Sequence, residues 1–327
     1  MSITIKDLAK IAGVSHTTVS RALNDNPIIK LETRQRIKSL AKEHNYIPNY
    51  NAKSLKLDRS FNIGLFFTSI EAGTTTSFFH DAIKGCHEAL KGTGFNLVVK
   101  SIEEYNKDFS SIDKKRLDGV ILVSQSDHDD VFIDEIINKE MPIVVVNRQI
   151  QKQVNNIYYN DRKGVYEAVS KLIELGHKKV GFIKGKEDFR NSHERYDGYI
   201  NSLKDHDIHL DDVIIVNGDF DIKSGYEAMT KIIESKVSAV FCSNDEMAVG
   251  AIKAVRKVGL KVPEDVAIIG FDNTSLCEFA TPTITSVERS IEKMAKLGTE
   301  KLLLELNTKT DIQNIELNCE LIIREST

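Results

Sequence analysis

The chain opens with two short apolar patterns of helical spacing. Ile5, Leu8, Ala9 and Ile11 recur at that spacing, Gly13-Val14 interrupts it, and Ser15 is placed to cap a second helix turning Val19, Ala22 and Leu23 inward. The loop Asn24 to Lys30 contains Pro27. A third helix, from about Leu31 to His44, sets Ile37, Leu40 and Ala41 toward the first two, with Tyr46 packed beneath and Pro48 as a stop. From Phe61 the pattern changes. Short apolar runs, NIGLFF, FNLVV, GVILV, PIVVVN, KVGFI, DVIIVN, SAVFC and VAIIGF, alternate with amphipathic stretches such as Ser77 to Lys91, Arg162 to Leu175 and Asp245 to Val258. Continuous apolar strands linked by crossover helices predict parallel sheets covered on both faces. About four strands before Asn160 and four after it give an α/β chain: a helix-turn-helix headpiece, then two doubly wound parallel-sheet lobes.

Charge sharpens this division. The net charge of -4 over 327 residues argues by itself against a nucleic-acid partner. Residues 1–60, however, hold 11 basic against 5 acidic residues (net +6), leaving the remainder at 33 against 43 (net -10). The basic end suits phosphate and the acidic body does not. Cys86, Cys242, Cys277 and Cys319 form no C-x-x-C pair, so a reduced, cytoplasmic protein without a zinc site or disulfide framework is expected. No apolar run has the length of a signal core or membrane span, and no cofactor is expected.

A helix-turn-helix sets the start of its second helix in the DNA major groove, making the outward His16, Thr17 and Arg21 candidates for base or phosphate contact. Thr4, Ser15, Thr18, Ser20 and Asn24 complete the headpiece candidates. The run A-G-V-S-x-x-T-V-S-R is more specific than a bare helix pair. Together, TIKDLAKIAGVSHTTVSRALN, YIPNYNAKSLK and scattered matches down to Arg289 resemble the LacI/GalR family of bacterial transcription regulators over nearly the whole chain. The resemblance implies a DNA-binding headpiece over 1–47, a hinge over 48–60 and a bilobal effector-binding and dimerisation domain over 61–327. Its first lobe would take about 61–160 plus 290–320, and its second 161–289 plus the C-terminal end, as in periplasmic sugar-binding proteins. In the hinge, Asn49, Ala52, Lys53, Leu55 and Lys56 would meet DNA. Paired hinge helices would enter the minor groove, where Leu55 would wedge between base steps. A flexible linker is the plainer alternative.

Ligands of open α/β sheets sit beyond the carboxyl ends of the strands. Those ends offer Phe78, Phe79, Ser124, Asn147, Arg148, Arg195, Phe220, Asn244, Asp272 and Arg289. A carboxylate accepts from adjacent hydroxyls, a guanidinium donates in a fork, and a phenyl ring covers the apolar face of a sugar. By resemblance Arg195, Asn244 and Asp272 match positions that contact effector, with Asn147, Phe220 and Arg289 used in some members. Set against this, Asn244 and Asp272 could simply cap the following loops, Phe78 and Phe79 could be core, and Asp127 to Asp130 read as a solvated loop.

An α/β enzyme is disfavoured, since no G-x-G-x-x-G, G-x-x-x-x-G-K-[ST] or catalytic triad stands at a strand-to-helix turn. An exported transport receptor would need a signal peptide in place of the headpiece. The favoured reading is a homodimeric repressor on a near-palindromic double-stranded operator, released by a small-molecule effector, a sugar or sugar derivative. The alternative is a global regulator whose DNA binding is enhanced by a phosphorylated carrier protein or a small-molecule corepressor.

Overall fold

The computed structural model describes residues 3–23, 25–44, 46, 59–70, 74–209, 213–308 and 311–327. Asn24 and the hinge candidates Asn49, Ala52, Lys53, Leu55 and Lys56 lie outside these residues. The chain divides into two units, Met1–Arg59 and Ser60–Thr327.

In the first unit, α1 (Ile5–Ala12), α2 (His16–Leu23) and α3 (Leu31–Glu43) enclose a small core of Leu8, Ala9, Ala12, Val19, Ala22, Ile37 and Ala41, with Tyr46 packed against it. Thr4 and Asp7 cap α1 reciprocally. Gly13 ends it at φ 64°, a left-handed conformation that costs a side-chain-bearing residue more than glycine. That turn redirects the chain into α2, whose start is capped by Ser15 Oγ accepting from the Thr18 amide at 3.1 Å. Ile11, expected inward, is exposed, and Ala12 takes its place in the core. The helical phase at the end of so short an element is easily misjudged by one residue.

The second unit contains two six-stranded sheets among the described residues. The first lobe is built from β1 (Asn62–Phe67), α4 (Thr76–Leu90), β2 (Asn96–Ser101), β3 (Gly119–Val123), α5 (Asp130–Asn138), β4 (Ile143–Val146) and β5 (Asn155–Tyr159). The second takes α6 (Asp161–Glu174), β6 (Val180–Lys184), α7 (Arg190–Asp205), β7 (Ile214–Asn217), α8 (Ile222–Ile233), β8 (Ala239–Cys242), α9 (Asp245–Lys257), β9 (Ala267–Asp272), α10 (Leu276–Phe279) and β10 (Thr285–Glu288). The chain then returns through α11 (Ile291–Asn307) and β11 (Asn314–Leu317) to the first lobe, and ends on β12 (Glu320–Ile322) in the second. The strand orders are β11-β5-β4-β3-β1-β2 and β12-β10-β9-β8-β6-β7, parallel except for β12 against β10. Both are doubly wound sheets with a switch point between the first and third strands, where a crevice forms.

Eight strands were legible as apolar runs. The four others, β5, β10, β11 and β12, read NNIYY, TSVE, NIEL and ELI, mixed segments in which no continuous apolar run appears. Each is nevertheless paired. Three crossings, after β5, after β10 and between β11 and β12, therefore join the lobes.

Candidate functional site

The carboxyl ends of both sheets converge on a cleft. Its lining includes Phe78, Gln125 and Asn147 from the first lobe and Phe189, Asn191, Arg195, Phe220, Asn244 and Asp272 from the second, with Arg289 at a crossing. Four charged side chains meet here: Arg195, Asp272 and Arg289 line the cleft, and Asp161 is buried against both arginines. Asp161, at the start of α6, receives Arg195 Nε and Arg289 Nε at 2.9 Å each, one on either carboxylate oxygen, and Asn191 Nδ2 at 2.9 Å. Arg289 also donates through Nη2 to the Asn147 carbonyl at 3.1 Å and to the Asn147 side chain, while Arg195 donates to the Ser243 carbonyl. The Arg195 guanidinium lies 3.9 Å from the centroid of the Phe271 ring.

Asp272 stands differently. Its Oδ1 lies 3.6 Å from Arg195 Nη2 and 3.8 Å from Arg289 Nη1 and accepts no hydrogen bond among the described residues, although the side chain keeps 23% of its exposure. Burial pushes its carboxyl up to about 7, against the lowering pull of Arg195 and Arg289. At Asp161 burial also opposes ionisation, but Arg289, Arg195 and the Asn191 amide outweigh it and hold the carboxyl below its ordinary value. Thus Asp161 is the hydrogen-bonded counter-ion of both arginines, and Asp272 Oδ1 is the carboxylate oxygen without a hydrogen bond among the described residues.

Three residues of the cleft hold a left-handed backbone. Asn147, Phe220 and Asp272, all at or just beyond strand ends, have φ of 92°, 65° and 98°, a region non-glycine residues seldom occupy. Phe220 stacks on Phe189 with centroids 5.9 Å apart, and its ring lies so close over Gly185 that a Cβ there would come within 2.0 Å. These rings and Phe78 give the cleft apolar walls.

Of the expected effector residues, Phe78, Asn147, Arg195, Phe220, Asn244, Asp272 and Arg289 line the cleft together. Phe79, Ser124 and Arg148 do not line it. Phe79 packs on Phe67 in the first-lobe core, with centroids 5.0 Å apart. Ser124 Oγ donates to Asp129 at 2.7 Å and accepts from Arg148 Nε at 2.7 Å, and the Arg148 guanidinium forms ion pairs with Asp127 and Asp130. The segment Asp127 to Asp130 is accordingly no mere solvated loop: Asp129 is buried, also accepting from Thr68 Oγ1 at 2.6 Å. Within the cleft, Asn147 and Asn244 have their polar atoms engaged; Asn244 caps α9 and donates to the Phe220 carbonyl. Asp161, Phe189 and Asn191 were missed. Asp161 lay beyond a strand too polar to recognise, and the other two lie at the start of the helix that carries Arg195, which had no visible cap.

In the headpiece, the capping Ser15 and, on α2, His16, Thr17 and Arg21 are exposed, with Thr18 and Ser20 partly so. Thr18 Oγ1 is paired with Ser15 Oγ at 2.9 Å. Arg34 and Lys38 bind Asp25, and Arg36 Nη2 donates to the Ala12 carbonyl at 2.6 Å, so these cations of α3 brace the fold.

A polar cleft between parallel-sheet lobes, on a chain that carries a helix-turn-helix, is the build of a ligand-responsive DNA-binding regulator. Residues 4–49 match the family described as bacterial regulatory proteins, lacI family, and residues 169–327 the periplasmic binding protein-like domain. The probable HTH-type transcriptional repressor ExuR of Bacillus subtilis (strain 168) is 45% identical over 99% of this chain and 98% of its own. The chain belongs to the LacI family of bacterial transcription regulators. Among solved structures, the transcriptional regulator CelR-cellobiose complex is 28% identical, with a TM-score of 0.75 over 99% of this chain and 100% of that one. The lac repressor dimer bound to operator and the anti-inducer ONPF shares the fold, at 23% identity and a TM-score of 0.84, covering 100% and 99% of the two chains.

Proposed function

We propose that this protein is a homodimeric repressor that leaves its operator when a sugar or sugar derivative closes the cleft. The observation that carries the reading is Asp272, a carboxylate set beside two buried arginines and phenyl walls whose Oδ1 accepts no hydrogen bond among the described residues. Vicinal hydroxyls are suited to supply a donor, and a sugar's apolar face suits the rings. The cellobiose complex of CelR supports the same ligand class.

DNA recognition is assigned to residues 1–47, with His16, Thr17 and Arg21 reading the major groove, and to the hinge at 48–60 through Leu55. Ser15, Thr18 and Ser20 position α2 and meet phosphate, as Thr4 does from the start of α1. One such helix covers only a few base pairs, so two copies on a near-palindromic site supply specificity. Effector and operator then favour different lobe arrangements, and their binding is coupled in opposite directions.

The test is thermal unfolding of the purified protein across mono- and disaccharides, sugar phosphates and purines, since a ligand of the native state raises its melting temperature. Any hit is then titrated into protein bound to an operator selected from random duplex DNA. Release supports the reading, tightening assigns a corepressor, and stabilisation by purines alone refutes the sugar assignment.

A further inference from the structure

We propose that Asn191 sets the polarity of the effector, presenting a buried acceptor that only a ligand carrying an O–H or N–H donor at that position satisfies. The inference rests on reading the cleft as the small-molecule site. Asn191 lies in the first turn of α7, is 9% exposed and lines the cleft. Its Nδ2 donates to two groups that only accept, Asp161 Oδ2 at 2.9 Å and the Asn147 carbonyl oxygen at 3.3 Å. Turning the amide over would set Oδ1 against an ionised carboxylate and a carbonyl. The surrounding network therefore fixes which end faces which partner.

Oδ1 is consequently left buried without a partner among the described residues. The other two asparagines of the cleft are not in this position. Asn147 donates to the Ser124 carbonyl and accepts from Arg289, and Asn244 donates to the Phe220 carbonyl and accepts from the Met247 amide. Asp272 Oδ1 is a second acceptor lacking a hydrogen bond. Two orphaned acceptors lining one cleft select a polyhydroxylated or amino-bearing molecule offering two donors. A ligand that placed a carboxylate or ether oxygen against Asn191 would leave both oxygens unpaired and be rejected.

The experiment has two arms. Neutron diffraction from ligand-free crystals identifies the amide orientation directly. The expected result is Nδ2 on Asp161 and a water donating to Oδ1 at about 3 Å; Nδ2 turned into the cleft overturns the inference whatever the effector. In the second arm, a compound that stabilises the protein in the thermal panel is titrated after each of its hydroxyls is replaced in turn by fluorine, which accepts but does not donate. One replacement should weaken binding to the wild-type protein by about 10- to 100-fold and cost little further in Asn191→Ala. Equal losses in both proteins overturn the inference. Should Asn191→Ala fail to fold, the wild-type series decides alone, and insensitivity to every replacement overturns it. A panel without any hit refutes the sugar reading and leaves the neutron arm to decide on Asn191.

Discussion

Replacing Asp161 by asparagine tests whether the cleft is built around a buried counter-ion. The change keeps shape and removes one negative charge from between two guanidinium groups, each 2.9 Å from a carboxylate oxygen. Breaking such a buried pair costs about 3–5 kcal/mol, because the remaining charge is left uncompensated. Part of this is recovered here, since Asp272 lies 3.6 and 3.8 Å from the same arginines and ionises more readily once Asp161 no longer repels it. About 3 kcal/mol is therefore expected, or roughly a 6–12 °C fall in melting temperature for a body of this size. Differential scanning calorimetry at pH 8 on ligand-free protein reads it. Adding Arg289→Gln should return part of the loss, since it removes an unpaired cation, and the double-variant cycle then gives a coupling above about 1 kcal/mol. A single variant within about 1 kcal/mol of the parent, or strictly additive changes, would refute the counter-ion role.

Arg21→Ala should weaken operator binding by about 1–3 kcal/mol if the exposed guanidinium forks onto a base, and unchanged affinity in fluorescence anisotropy rejects that role. Because Asp272 titrates at about 7 and accepts from the effector when ionised, affinity measured by calorimetry should fall as pH drops from 8 to 6. In the ligand-free protein the sign is opposite: the folded carboxyl binds its proton more tightly than the unfolded one, so its stabilising effect is present at low pH and lost as pH rises through 7. A profile flat in both respects contradicts the assignment. Gly185→Ala should displace the Phe220 ring and reduce effector affinity by about tenfold while leaving operator affinity unchanged; equal effector affinity would show that the ring is not a wall of the ligand site.

Periodicity determined the headpiece and the two lobes because both rest on local regularities. A 3.6-residue apolar stripe broken by Gly13 forces a turn, and runs such as GVILV and SAVFC are buried on both faces wherever they pair. Strand ends followed from the same runs, which is why Asp272, at the end of VAIIGF, could be located, whereas Arg195 and Arg289 rested on the family resemblance. The tertiary structure decided what each polar group meets. Arg148 looks as available as Arg289 in sequence, yet it is tied to Asp127 and Asp130, whereas Arg289 reaches Asp161 across 128 residues of chain. Asp161 follows NNIYY, whose strand character comes from pairing with β4 and β11 and not from its own pattern. Hydrophobic periodicity is a property of neighbours along the chain, while the partner of a buried charge is set by which strand ends converge, and that emerges only when both sheets have formed.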